Sequence, residues 1–546
     1  MKNRKCNLSG MTSSYRSILF RSVVNVVVGM INMISSLSFI VVSKQLIDTV
    51  TGVSSHSIRS GIIIMCVLVV VRLLASVLYG YIGGRNEAYA LMALRRSFFE
   101  KVMCLQWDGT ELFHSGDAVN RIEDDVRVVV DFVVFKLPGF VLAGMQLLFA
   151  SVLVYMMSPK LLLVLVALMV IAAVLGYFLY RPVRSLTRTI RQQEGLIQSH
   201  LQEGIQNRIT VRVLFGVKRI MERFDGLQDK QYSDMMRRLN YNSFAQLCMR
   251  FGFFSGYTTA FIFGVKGIEN GFVTFGMMTA LLQLVGQVQR PLSNLVQLFP
   301  SVIRFVASKE RLEEIAACDE EKDMPEKRIA IAPEIRIEDV SFVYPGQRQR
   351  ILNHFSAVFP AGQMTAIMGE TGVGKTTLVR LMLALLDPLE GRITIGGEFA
   401  GVDTRCNFMF VPQSNGLFSG TIRDNLLLVK PTATEDEMRE ALQVAMADFV
   451  FDLPQGLDTP CYEYGNGISG GQARRISIAC ALLHGGSIII LDEATASLDQ
   501  ETERLLLERL KQYCAGKKTL IFISHSNLVC RMADTIVEIP NIRTPY

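Results

Sequence analysis

Six long apolar runs crowd the first 310 or so of the chain's 546 residues, near 18–43, 60–84, 133–157, 161–180, 246–268 and 275–300. Each reaches the roughly 20 largely apolar residues that carry an α-helix across a bilayer. This half is therefore expected to fold as an α-helical membrane domain with six transmembrane helices. A content of 50% hydrophobic against 19% charged residues is unusual for a soluble chain of this length and agrees. From about residue 330 onward, apolar and polar residues alternate in the manner of a soluble α/β domain. Two unlike halves are fused.

Six crossings return the chain to its starting side. Lys2, Arg4, Lys5 and Arg16, then Arg85, Arg95, Arg96 and Lys101, then Arg181, Arg184, Arg188 and Arg191 flank one side, against Lys44, Arg59, Lys160 and Lys266 on the other. The positive-inside rule puts both termini and the second half in the cytoplasm of a multi-pass protein of the cell membrane. No small-residue cleavage site follows the first run, so no signal peptide is expected. The net charge of +6 is explained by these rims and calls for no nucleic-acid partner. Ten cysteines lie scattered without a Cys-x-x-Cys pair, which speaks against metal and disulfide roles.

Some 48 residues separate the second and third runs and some 65 the fourth and fifth, both stretches charged and helically periodic. Those spans are expected to continue as helices into the cytoplasm, joined by turns near Gln106–Gly116, which holds the only tryptophan, Trp107, and near Gln206–Gly216. Whether the turns touch the second half or merely cap the helices stays open at this point. A charged stretch with two prolines, Asp319–Pro333, precedes strand-like Ile335–Val340. The expected domains are 1–316 (membrane), 317–333 (linker) and 334–546 (the α/β half).

The second half carries Gly369-Glu370-Thr371-Gly372-Val373-Gly374-Lys375-Thr376-Thr377 between an apolar run, Met364–Met368, and a helical pattern from Leu378 to Leu385. The glycines let amide N–H groups converge on a phosphate at the positive end of the following helix. Lys375 would reach the β- and γ-phosphates, and the Thr376 hydroxyl would lie on Mg²⁺. A buried-strand pattern from Ser487 ends in Asp492 and Glu493. Asp492 suits the magnesium shell, through water, and Glu493 could polarise the attacking water. Ile468 followed by Ser469, Gly470, Gly471 and Gln472 opens a second helix, Ala473 to Leu483, and so forms a second anion-binding start. One nucleotide could be held by both cradles only if the second came from another copy. That predicts a head-to-tail dimer around two ATP molecules.

With these elements in order, the chain resembles an exporter-type ATP-binding cassette (ABC) half-transporter over nearly its full length. The resemblance rests on Tyr344, the phosphate loop, Gln413 within Val411-Pro412-Gln413, the stretch Phe418–Asn425, Glu463 and Gly465, the Ser469 motif, the acid pair, Ala496 to Asp499, and His525 after an apolar strand. It implies that Tyr344 stacks on adenine, that Gln413 joins the magnesium and the membrane domain, and that Asp499 organises the dimer contact. It further implies that His525 holds the γ-phosphate, giving a catalytic set of Glu493, His525, Lys375 and Gln413. Gly116, Asp117 and Asp124 are similar to the family's first cytoplasmic loop, and Gly276 to Pro291 to its last span. The turns near 106–116 and 206–216 would then be coupling helices that dock near Gln413 and Glu463. The chain departs from the pattern at Ile468, where leucine is usual, at Cys480, where arginine is usual, and at Ala496-Ser497, an inverted pair; its closing segment after Ile539 also looks short.

Along the sixth run, Gln283, Gln287, Arg290, Asn294 and Gln297 recur at spacings that line one helical face. Polar groups at that depth face a wet cavity or a partner helix. In an exporter they would line the substrate route, and Arg290 would favour negative charge; packing against a neighbouring protomer is the alternative. Arg72, midway along the second run, is expected to pair internally or to meet water, and Asn25 and Asn32 could equally serve to bond one helix to another. The whole reads as ATP-driven export by a dimer with itself or a related half-transporter, using ATP and Mg²⁺ on an unspecified substrate. An ATP-gated channel-like or regulatory membrane protein is the alternative, and an importer a weaker third.

Overall fold

The computed structural model describes residues 8–540 apart from 56, 108–114, 323, 330, 348, 414–415, 462–467 and 496–497. Side chains 8–15, 169, 172–173, 175–177, 179–180 and 292–299 are outside the described set. Glu463, Gly465, Ala496 and Ser497 thus lie outside the described residues, as do the side chains of Asn294 and Gln297. Among the described residues the chain divides into two compact units, one holding residues 8–100 and Val119–Ala316, the other residues 101–107, 115–118 and 317–540. Residues 101–107 and 115–118 fall in the first half by sequence and group with the second unit.

The first unit is built of six long helical rods. They are α1 (Leu8–Val50), α2 (Ile58–Met103), a composite of α3 (Ser115–Asn120), α4 (Val126–Asp131) and α5 (Leu137–Met157), then α6 (Pro159–Gln206), α8 (Val217–Glu269) and α9 (Phe275–Ala317). A short α7 (Arg208–Val213) sits at the turn between α6 and α8. Single π-turns, Arg121–Asp125 and Phe132–Lys136, join the parts of the third rod. The junction from α5 to α6 is one residue long because Ser158 caps α6, accepting from the Leu161 N–H at 3.3 Å, and Pro159 supplies the preset first helical position.

Among the described residues, Arg16–Val50, Ile58–Met103 and Gly116–Met157 are long and apolar enough to cross a membrane, with mean hydropathies of 2.1, 2.8 and 2.0. The expected fifth span falls in α8, where Gly252, Ser255, Gly256, Thr258 and Thr259 dilute its aromatics. Leu281, Leu284, Val285 and Val288 of α9 are buried together with Met33, Leu37 and Ile40 of α1, Val154 of α5 and Leu165 of α6. Small residues set the closest approaches. A Cβ on Gly276 would stand 2.5 Å from the Lys44 carbonyl oxygen.

In the second unit, β1 (Ile335–Phe342), β2 (Leu352–Phe359), β4 (Glu390–Ile395) and β5 (Glu398–Phe399) form an antiparallel sheet in the order β2-β1-β4-β5. A second sheet is parallel, in the order β11-β3-β10-β9-β6, from β3 (Met364–Met368), β6 (Phe408–Val411), β9 (Ile488–Asp492), β10 (Thr519–Ile523) and β11 (Thr535–Glu538). Every residue of β9 and β10 is buried, as strands covered on both faces require. Leu378, Val379 and Met382 of α10 (Lys375–Met382) pack in one core layer between the two sheets' apolar residues. A second layer holds Ile476, Ala479 and Leu482 of α13 (Gly470–His484) with Leu506, Leu507 and Leu510 of α14 (Gln500–Cys514). The remaining elements are β7 (Gly420–Thr421), α11 (Ile422–Val429), α12 (Glu435–Val444), β8 (Pro460–Cys461) and α15 (Asn527–Met532).

Strand order decides where chemistry can occur. β10 lies between β3 and β9, so the loops leaving the carboxyl ends of all three converge on one crevice, the usual ligand edge of such a sheet.

Candidate functional site

The loop from Gly369 to Gly374 reverses the chain between β3 and α10. Gly374, the residue that caps α10, has φ +111°, and a Cβ there would stand 2.7 Å from Cγ2 of Ile351. Backbone in this region is open to glycine and strained for other residues. The loop is closed on itself by Lys375, whose Nζ donates to the carbonyls of Gly369 (2.6 Å) and Glu370 (3.2 Å) and lies 3.0 Å from Nε2 of His525. An ammonium only donates, so Nε2 accepts and the imidazole proton belongs on Nδ1. Burial lowers the pKa of Lys375, while the charges of Glu493 and Asp492 draw it back up.

Asp492 closes β9 and is buried, its Oδ2 accepting from the Thr376 hydroxyl at 3.4 Å. Burial raises its pKa, the adjacent Glu493 adds to the rise, and Thr376, Arg380 and Lys375 oppose it. Glu493 follows with φ +48°, an unusual backbone for a side chain of its kind. Its N–H donates to the Ile523 carbonyl at 2.9 Å. The turn brings its carboxylate back over the crevice, where Oε2 accepts from Gln413 Nε2 at 2.6 Å and Oε1 lies 3.8 Å from His525 Nε2. Lys375, His525, Glu493 and Gln413, from four separate loops, therefore meet at one crevice as two hydrogen-bonded pairs, Lys375 with His525 and Gln413 with Glu493.

Tyr344 meets the same crevice from beyond β1. Its ring stands edge-on to Phe342, and its hydroxyl lies 3.0 Å from the Thr377 hydroxyl and accepts from Arg380 at 3.2 Å. Arg380 in turn sets its guanidinium 4.6 Å from the ring centre of Trp107. Trp107 packs against the core layer of α10, and its neighbours Gln106 and Lys101 bond to Asp319, and to Cys318 and Glu320. The described part of the first turn thus touches this unit, settling a point the sequence leaves open. Neither Arg380 nor Trp107 carries a motif that marks it for the site.

Ser469, Gly470, Gly471 and Gln472 lie at the start of α13. Ser469 Oγ accepts from the Gln472 N–H at 3.2 Å, and Gln472 Oε1 accepts from the Ser469 N–H at 3.0 Å, a reciprocal cap. The exposed Ser469 keeps its own O–H to donate outward. Asp499 caps α14 through the Thr502 N–H, and that bond holds its pKa below the ordinary value. Among the described residues, the hydrogen bonds of Ser469, Gln472 and Asp499 run within their own caps and not to the Lys375–Glu493 group.

In the helical unit, Gln287 accepts from Gln146 at 2.5 Å and donates to Ser36 at 3.4 Å, which ties α9 to α5 and α1; Gln283 and Arg290 are exposed. Gln146 is a partner that its apolar surroundings in the third run did not announce. Arg72 is exposed and has no ion-pair partner among the described residues, which leaves water, the other partner expected for it. The expectation for Asn25 fails. Asn25 is fully buried with both amide atoms unbonded, and the bond between α1 and α2 runs from Asn86 to Ser22 at 3.1 Å instead.

The chain matches the ABC transporter transmembrane region over residues 22–292 and the ABC transporter family over residues 352–496. It is similar to an ABC transporter ATP-binding protein of Bacillus subtilis, 28% identical over 506 residues that span 91% of this chain and 83% of the relative. It is also similar to an ATP-dependent lipid A-core flippase of Desulfotalea psychrophila, 31% identical over 440 residues, 78% of this chain and 76% of the relative. In fold it is similar to a bacterial Atm1-family ABC exporter solved with ATP bound, at a TM-score of 0.78 and 23% identity across 96% of this chain and 94% of the other. The two family matches fall on the helical bundle and on the phosphate-loop sheet, and the flippase relative spans both, so this chain belongs to the ABC transporters and is a membrane protein whose ATP hydrolysis is coupled to transport.

Proposed function

We propose that two copies of this chain, or this chain and a related half, close around two ATP molecules and expel a substrate across the cell membrane. The observation that carries the reading is the gathering of Lys375, His525, Glu493 and Gln413 at the phosphate loop, bonded as the pairs Lys375–His525 and Gln413–Glu493. In it, Lys375 and the loop amides hold the β- and γ-phosphates, His525 meets the γ-phosphate, and Glu493 orients the attacking water. Tyr344 offers its ring to adenine. Thr376, Asp492 and Gln413 present oxygen donors, the set that Mg²⁺ prefers. Those residues would hold the cation, which when bound neutralises developing phosphate charge.

Ser469, Gly470 and Gly471 complete the other copy's site, with Asp499 beside the contact. ATP favours the closed pair and hydrolysis releases it, so each nucleotide state selects a different membrane-domain arrangement. The apolar tip at Ile209, Val213, Leu214 and Phe215, 68–93% exposed, would dock on the partner's ATPase unit. The exposed Gln283 and Arg290 supply polar groups for the substrate. Both termini lie in the cytoplasm.

The test is Glu493→Gln in lipid vesicles, beside a panel of amphipathic compounds scored by ATPase stimulation. Turnover falls by about 10²–10⁴, and the variant accumulates as an ATP-bound dimer. Turnover close to the parent's would overturn the role given to Glu493.

A further inference from the structure

Arg474 lies five residues into the helix that Ser469 caps, and it is 9% exposed. A guanidinium is expensive to bury unless its donors are met. Nη1 donates to the Pro412 carbonyl at 2.6 Å, and Nη2 donates to the Gln413 carbonyl. Its charge also faces Asp492 and Glu493, which offset the fall in pKa that burial imposes. The neighbouring Arg475 is spent differently, donating to Met446 and Gly471 carbonyls over the ring of Phe449. One of the two adjacent arginines holds α13 to its own layer, and the other reaches across to the loop that carries Gln413.

We infer that Arg474 is a positioning residue that couples the two nucleotide sites of the dimer. The inference rests on the proposed closure around two ATP molecules. The path is short and continuous. Ser469 meets the partner's nucleotide; α13 is a rigid rod from Ser469 to Arg474; the fork of Arg474 grips the backbone of Pro412 and Gln413; and the Gln413 side chain donates to Glu493 Oε2 at 2.6 Å. A displacement of α13 when the partner's site closes therefore moves the group that holds this chain's own catalytic carboxylate. Bidentate backbone anchoring makes the link stiff, which a single flexible ammonium would not.

The experiment uses the full chain in lipid nanodiscs and reads the ATP dependence of hydrolysis for the parent, Arg474→Met and Arg474→Lys. A parent Hill coefficient above 1 is expected to fall to about 1 in both variants, the limit for independent sites. A merely structural arginine would lower kcat and leave the Hill coefficient unchanged, and that result overturns the inference. So does a parent with a Hill coefficient of 1 that still forms the ATP-bound dimer, which leaves the transport reading intact. Failure of Glu493→Gln to dimerise on ATP strikes the transport reading itself. Should Arg474→Met not fold, Arg474→Lys decides alone, and full cooperativity in it refutes the coupling role.

Discussion

Replacing Arg380 by methionine removes a guanidinium and keeps most of the stem. Two contacts are lost together: the approach to Trp107 at 4.6 Å and the hydrogen bond to the Tyr344 hydroxyl at 3.2 Å. A half-exposed cation–π contact contributes about 0.5–1 kcal/mol, and a hydrogen bond from a charged donor about 1.5 kcal/mol. The total of about 2 kcal/mol is roughly a 30-fold shift in the equilibrium between docked and undocked Trp107. Because Trp107 is the only tryptophan among the 546 residues, its emission reports this docking alone. With a urea dependence of about 1–3 kcal/mol per molar, the midpoint of the emission shift falls by about 1 M in Arg380→Met. Arg380→Lys lies between, keeping charge without the planar fork. ATP added to the Glu493→Gln background raises the midpoint by mass action, and by less in Arg380→Met, where the Tyr344 hydroxyl keeps only Thr377 of its two partners. A midpoint that Arg380→Met leaves unmoved would refute the argument, since Trp107 would then be held by something other than Arg380.

Gly374→Ala forces a side chain onto φ +111° and against Ile351. Strain of about 1–3 kcal/mol at the residue that aims the loop amides weakens ATP binding about tenfold or more, read by calorimetry, and an unchanged affinity would show that the loop tolerates a Cβ. The raised pKa of Asp492 sets a pH dependence for the metal. Its charged form is the one that binds Mg²⁺, so lowering pH toward that raised value increases the Mg²⁺ needed for half-maximal nucleotide binding, and does so above the range of an ordinary carboxylate. The sign for stability is opposite to that of an ion-paired aspartate: the folded chain holds the Asp492 proton more tightly than the unfolded one, so this group's contribution falls as pH rises through the interval between the two values. A Mg²⁺ requirement indifferent to pH in that interval would rule out Asp492 as the titrating ligand.

The phosphate loop, the acid pair and the Ser469 cap could be read in the sequence because phosphate binding concentrates its needs in short contiguous stretches. Backbone amides must converge, and only glycines at set spacing allow it. Tyr344, Gln413 and His525 were legible through resemblance, since one tyrosine, glutamine or histidine at a loop has no chemistry of its own until the fold brings it to Lys375. Arg380 and Arg474 were not legible. Basic side chains on a helix usually reach outward to water, and nothing local tells an arginine that grips carbonyls 62 residues away from one that is solvated.

The helical unit fails in a different way. Run lengths located six rods, but they said little about which side of each rod faces protein, because lipid is as apolar as a buried leucine. Leu73, Leu74 and Val77 of α2 are exposed around a buried Ala75, whereas Leu281, Leu284 and Val288 of α9 are buried; the residue types are alike and the environments opposite. Small residues carry more information than large ones here. Gly276 against the Lys44 carbonyl marks a contact that no larger side chain could occupy without displacing a helix, and a Cβ at Gly264, 2.4 Å from Cγ of Met278, would force that side chain to move. Polar residues carry the rest. Gln287 had to find Gln146 and Ser36 to be half-buried at all, so the register of α9 against α5 and α1 is set by hydrogen bonds that neither run length nor hydropathy records.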